Sequence, residues 1–117
     1  MAIPPKPTLE WSDLDREPHD GLVKGPTPDD VAAIVEHLAG NAHPGGFVIL
    51  RLGDSEFIQC ARVEGGLAVE HHEPKADTHF ALAGGACDAE FAVALFRAWM
   101  DDPATIGQHA DWEEMDL

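Results

Sequence analysis

The strongest constraint on the fold is a change in the spacing of apolar residues near residue 46. Before it, Thr27 and Pro28 begin a segment whose apolar residues recur at positions i, i+3, i+4 and i+7, and Gly40 ends that segment. Thr is a favourable helix N-cap and Pro suits the first helical position. After residue 46, apolar and polar residues alternate, as they do in half-buried strands. The sequence therefore predicts one helix followed by a series of strands.

The alternating region divides into four predicted strands joined by short turns. Gly53-Asp54 is typical of a tight hairpin turn, and Gly or Pro recurs in the two later connections. The predicted strands cover residues 47–52, 56–63, 67–73 and 78–82.

A second helix is predicted after Gly84-Gly85. Asp88 is a favourable N-cap for a helix over residues 89–101, and Pro103 stops it. We therefore expect an α+β fold of two layers, in which a four-stranded antiparallel meander packs against an N-terminal and a C-terminal helix.

Loop lengths predict which side chains share a face of this sheet, because a shift of one residue moves a whole strand's side chains to the opposite face. We predict a two-residue loop at Gly53-Asp54, a three-residue turn at 64–66 and a four-residue loop at 74–77. The apolar face then carries Val48, Leu50, Leu52, Phe57, Ala61, Val63, Leu67, Val69, Phe80 and Leu82. The polar face carries Arg51, Glu56, Cys60, Arg62, Glu70, His72 and His79.

The chain divides into a Pro-rich N-terminal arm and one domain. Residues 1–26 contain five prolines and little periodic apolar character, which indicates an extended arm that is partly ordered at most. Trp11 and Leu14 are the side chains most suited to hold it against the domain. Residues 27–117 form a single α+β domain with an acidic C-terminal segment.

A formal net charge of −15 on 117 residues restricts the class of partner. An acidic surface repels phosphate backbones, so we expect no direct contact with nucleic acid. Two uses of the charge remain open: solubility, and attraction of a strongly basic partner. No secretory signal or membrane span is evident, and Cys60 and Cys87 lack CxxC spacing. We expect a cytoplasmic protein with reduced thiols and no membrane contact.

The seven histidines suggest a search for a metal site. Cys60, Glu70, His72 and His79 share the predicted polar face, and such a set can hold zinc. However, the set lacks compact ligand spacing, and the adjacent His71 and His72 point to opposite faces of a strand. No nucleophile elbow or phosphate-binding glycine loop is present. We therefore predict no metal, no cofactor and no catalytic residues, and expect that the protein is not an enzyme.

The acidic excess peaks at the C-terminal end. Residues 86–117 contain eight acidic residues and a single basic one, Arg97. The acids that surround Trp112 are Asp101, Asp102, Asp111, Glu113, Glu114 and Asp116. Two interpretations stay open: a hot spot for a basic partner, with Trp112 as its anchor, or a solvated tail whose Trp folds back over the core.

The chain resembles the small immunity proteins of bacterial polymorphic toxin systems, and in particular immunity protein family one, which includes partners of deaminase toxins. The likeness covers about residues 28–117. It rests on the helix at 30–38, the strand Phe47-Val48-Ile49-Leu50, the meander, and the ending from Asp88 to Asp111-Trp112-Glu113-Glu114. The resemblance implies a non-catalytic inhibitor that binds a cognate toxin and blocks its active site.

The predicted function is therefore that of an immunity protein, or antitoxin, for a toxin that acts on nucleic acid, such as a deaminase. Such a toxin needs a basic substrate groove, which an acidic inhibitor complements. We expect contact through the acidic C-terminal segment, with Glu70, His72 and His79 on the polar sheet face as the second candidate. The alternative is an acidic adaptor, or a nucleic-acid mimic that regulates another protein.

Overall fold

A computed structural model describes residues 6–15, 17–53, 55–75 and 77–115, which contain two strands, a helix, four strands, two further helices and a last strand in chain order. The strands are β1 (Thr8–Ser12), β2 (Gly21–Lys24), β3 (Phe47–Arg51), β4 (Phe57–Val63), β5 (Gly66–Glu73), β6 (Thr78–Leu82) and β7 (Trp112–Glu114). The helices are α1 (Pro28–Ala39), α2 (Ala89–Asp101) and a 3-10 helix (Pro103–Gln108).

The strands form one antiparallel sheet in the order β2-β1-β3-β4-β5-β6-β7. The predicted four-stranded meander with two helices is therefore wrong, because seven strands form the sheet in the described part of the chain. The four predicted strands are present as β3 to β6, and three short strands extend them at both ends. Strands of three to five residues next to prolines or carboxylates carry little alternating pattern, so the sequence did not reveal them.

Two of the added strands come from the Pro-rich N-terminal segment. Leu9 of β1 pairs with Leu50 of β3 and is fully buried. Trp11 lies over Gly21 of β2, where a Cβ atom would be 2.2 Å from the indole ring. Trp11 and Leu14 are only 9% and 2% exposed, which confirms the prediction that these two side chains hold the segment against the domain.

Asn41, at the end of α1, fixes the segment that follows β1. Its Oδ1 accepts a hydrogen bond from the Asp15 N–H at 3.0 Å, and its Nδ2 donates to the Asp13 carbonyl at 3.0 Å. Asn41 is buried, so these bonds satisfy polar groups that water does not reach.

Both predicted helices are confirmed, with the expected caps. Thr27 and Asp30 form a capping box at the start of α1, and Asp88 accepts a hydrogen bond from the Phe91 N–H at the start of α2. The helices pack against each other and against the central strands. Their buried faces join the sheet in one core whose largest fully buried side chains are Trp99 and Phe96.

The predicted side-chain faces are correct for β3, β5 and β6 and wrong for β4. Arg51 pairs with Phe57, and the Leu52 N–H donates a hydrogen bond to the Glu56 carbonyl at 2.8 Å, so the first loop has three residues, 53–55; its Asp54 lies outside the described residues. Val63 pairs with Gly66, so the next turn has two residues rather than three. Each difference shifts β4 by one residue against a neighbour. Ile58 and Cys60 therefore face the helices, whereas Phe57 and Ala61 lie on the opposite face.

Within the described part of the chain, neither α-helix has the length and apolar character needed to cross a bilayer.

Candidate functional site

Both helices lie on one side of the sheet, and no described element covers the other side. We call this uncovered side the open face. Its side chains include Glu10, Leu22, Phe47, Ile49, Arg51, Phe57, Gln59, Glu70, His72, His79 and Glu113. Leu22 is 52% exposed and Phe47 is 42% exposed. Both lie on the part of the open face formed by β2, β1 and β3, at the far side of the sheet from β7.

β7 brings the two predicted partner-binding sets together. Glu113 pairs with Ala81 of β6, and Ala81 pairs with Glu70 of β5, so the three side chains form one row across the open face. Glu113 and Glu114 are exposed on this edge strand. Glu113 therefore joins the C-terminal segment to the polar sheet face, whereas Glu114 lies on the other face of β7, with Trp112.

His72 and His79 are direct cross-strand neighbours, as predicted, with ring centroids 4.5 Å apart. Phe57 stacks on His72 at 5.6 Å and lies edge-on to His79 at 5.8 Å. His72 Nδ1 contacts the Ser55 carbonyl oxygen, and Nε2 lies 2.9 Å from Asp77 Oδ1. The hydrogen bond to Ser55 raises the pKa of His72, and Asp77 adds to this effect. The aromatic cluster thus contains a histidine that favours its charged form.

His71 has the opposite environment, which confirms that adjacent histidines of β5 point to opposite faces. Its ring stacks on Phe80 at 5.1 Å and meets Trp112 edge-on at 4.4 Å. Burial lowers the pKa of His71 to about 4, so the side chain is neutral at pH 7. Its Nε2 is buried and has no hydrogen-bond partner among the described residues.

Trp112 folds back toward the core, which agrees with the second of the two interpretations of the C-terminal segment. Its side chain is half-buried, and Nε1 donates a hydrogen bond to the Ile106 carbonyl at 3.1 Å. The aromatic ring therefore closes one end of the core, whereas the neighbouring Glu113 and Glu114 stay in solvent.

The predicted C-terminal acids do not form a single cluster. Asp101 ends α2, and Asp102 Oδ1 accepts a hydrogen bond from the Ala104 N–H at 3.1 Å, which caps the 3-10 helix. Asp111 is exposed just before β7. Asp116 lies outside the described residues.

Cys60 does not join the histidines of the open face. It lies on the helix side of β4, only 1% exposed, and burial raises the pKa of its thiol. Burial also raises the pKa of Cys87, to about 11. In the described ranges, no group of three or more His, Cys, Asp or Glu side chains is placed to hold a metal ion.

Sequence reasoning missed the aromatic and ion-paired part of the open face. Phe57 was expected on the apolar face of the sheet, but it lies on the open face. Arg51 Nε is 3.7 Å from Glu10 Oε1 across β3 and β1, a pair that requires the unpredicted β1. Relative to β3, Phe57 was assigned to the wrong face because the first loop is one residue longer than predicted.

Comparison of this chain with family models, with curated proteins and with solved structures finds no match.

Proposed function

We propose that the protein is an immunity protein that binds a cognate bacterial toxin domain, and that β7 with the adjoining open face makes the contact. The toxin is expected to act on nucleic acid, as a deaminase does. The observation that carries the proposal is the continuity of Glu113, Ala81 and Glu70 across three strands of the open face.

Charge complementarity supports a basic partner. The net charge is −15, so the long-range field attracts a cationic surface and speeds encounter. On the open face, Arg51 lies beside Glu10, whereas no described cationic side chain forms an ion pair with Glu70 or Glu113. Toxins that act on nucleic acid carry basic grooves, and carboxylates on a rigid sheet can occupy such a groove in place of phosphates.

The exposed apolar side chains of the open face support an affinity for the partner that does not come from charge alone. Phe47 and Leu22 are each more than two-fifths exposed, although large apolar side chains are usually buried. An interface normally combines aromatic or aliphatic anchors with a polar rim. The open face has this composition.

Charge reversal at the edge strand tests the proposal. The protein would be co-expressed with the toxin domain encoded beside it, and complex formation and cell survival would be measured. We expect the double variant Glu113→Lys and Glu114→Lys to weaken binding by at least about tenfold. The control variant Glu36→Lys and Glu90→Lys makes the same change in net charge at exposed helix positions and should weaken binding less than about threefold.

Equal losses in both double variants would contradict the assignment of the surface, since only net charge would then matter. Binding of a basic protein that has no toxic activity would contradict the immunity function and support the adaptor alternative.

A further inference from the structure

A second feature of the molecule is a cavity of about 730 Å³ on the helix side of the sheet. It lies between the ends of β5 and β6, the 3-10 helix and β7. Its apolar walls include Phe80, Trp99, Pro103, Ile106 and Trp112. This volume is within the range of sites that hold small organic molecules.

The cavity contains a polar group that the protein leaves unpaired. His71 lines the cavity, is 4% exposed, and has no partner for Nε2 among the described residues. In the tautomer with its proton on Nδ1, the neutral imidazole carries an acceptor lone pair at Nε2. This atom is closed to water, so the groups of the wall that a ligand N–H can reach are the carboxylates.

The charges around the cavity favour a cation. The carboxylates of Glu56, Glu73 and Asp111 line it, against the amine of Lys75 and the imidazole of His72, whose pKa is raised. The aromatic walls add to this preference, since the faces of Trp and Phe rings attract cations. An anionic ligand meets repulsion from the same groups and from the net charge of −15.

We infer that this cavity binds a small organic cation with a planar or apolar body and N–H donors, of the amidinium or guanidinium class. The inference does not depend on the proposed immunity function, because it is argued from the walls and charges of the cavity alone. The cavity adjoins the proposed partner surface, since Trp112 of β7 and His72 of the open face belong to its lining.

Three probes of the same shape test the charge preference: benzamidine, benzamide and benzoate. Each would be titrated into the ¹⁵N-labelled full chain, with the three tryptophan indole signals followed by NMR. We expect benzamidine to shift the Trp112 and Trp99 signals in a saturable way, with a dissociation constant on the order of 1 mM. The Trp11 indole, bonded to the Pro18 carbonyl on the other side of the core, should not shift. Benzamide and benzoate should bind at least about tenfold more weakly.

Gly107 offers a way to block the cavity without disturbing the fold. It lines the cavity, and a Cβ atom at this position would meet nothing within 4 Å. Gly107→Leu should abolish the benzamidine shifts, whereas Gly107→Ala should retain them. Absence of a saturable Trp112 shift, equal affinity for benzamide or benzoate, or undiminished binding to Gly107→Leu would overturn the inference. Toxin binding measured on the same variants would remain unchanged, so this test is independent of the proposed function.

Discussion

His72 Nε2 lies 2.9 Å from Asp77 Oδ1, and this contact joins β5 to the loop that leads into β6. The other ring nitrogen, Nδ1, contacts the Ser55 carbonyl oxygen in the loop before β4. One imidazole thus connects two loops at the same end of the sheet. Both partners are acceptors, so the doubly protonated ring is the form that satisfies them.

Removing the Asp77 charge should lower the pKa of His72. We expect the pKa to lie above 6.5 in the wild-type protein and to fall in Asp77→Asn, because a charged acceptor is replaced by a neutral one. Asn tolerates the positive φ of 49° at this position. NMR titration of the His72 ring signals measures the change.

Asp13→Asn is the matched control, since Asp13 also has a positive φ and is exposed. It should leave the His72 titration unchanged. A His72 pKa that is the same in the wild type and in Asp77→Asn would show that the contact has no electrostatic effect.

His71 should make the protein less stable in acid. The folded state holds its pKa at about 4, below the 6.5 of an unfolded chain. The neutral ring therefore contributes stability that is fully present above pH 6.5 and is lost as pH falls toward 4. Between pH 6.5 and pH 4, we expect His71 to lower the free energy of unfolding of the wild type by an amount on the order of 2–3 kcal/mol. The His71→Leu variant should not show this decrease.

Urea unfolding of the wild type and His71→Leu at several pH values checks this prediction. Protonation of carboxylates affects both proteins, so the difference between their free energies of unfolding isolates His71. Parallel curves from pH 7 to pH 4 would contradict the expected role of His71.

Gly66 should tolerate substitution less well than its neighbour Gly65. Both have positive φ, but a Cβ atom on Gly66 would lie 2.4 Å from the Cys87 carbonyl oxygen, whereas one on Gly65 would meet nothing within 4 Å. We expect Gly65→Ala to lower the free energy of unfolding by about 1 kcal/mol, because Ala disfavours a positive φ. Gly66→Ala should lower it by at least about 2 kcal/mol. Thermal and urea unfolding measure both, and equal costs would rule out the close approach as the cause.

Asn41→Ala should destabilise the protein by about 2–3 kcal/mol, since it leaves the Asp15 N–H and the Asp13 carbonyl without their bonds. Hydrogen exchange should also increase in β1 and the segment after it. His43→Ala, an exposed position in the following loop, is the control and should cost less than about 0.5 kcal/mol. Similar stability of both variants would show that the bridge contributes little.

Local signals predicted the helices and the four central strands, because caps and periodicity depend only on neighbours in the chain. The faces of β4 were wrong for a different reason. Its orientation depends on whether a loop has two or three residues, and glycine-rich sequences are compatible with both lengths. The error occurred at both ends of β4, so the faces of β5 and β6 were still correct.

The candidate site was predictable only in part. The neighbouring positions of His72 and His79 follow from the four-residue loop between β5 and β6, which was predicted correctly. The contacts of His71 with Trp112, and of Glu10 with Arg51, require β7 and β1. These strands form by pairing with residues that are distant in the chain, and no local sequence pattern indicates such pairing.

β7 is a three-residue edge strand paired on one side only, so it should open more readily than the central strands. Its release would carry Trp112 away from Phe80 and His71 while leaving α1, α2 and the sheet from β1 to β6 intact. The chain segment that places Trp112 against the cavity is therefore the same one that carries Glu113 and Glu114, so an event at the acidic edge acts directly on one wall of the cavity.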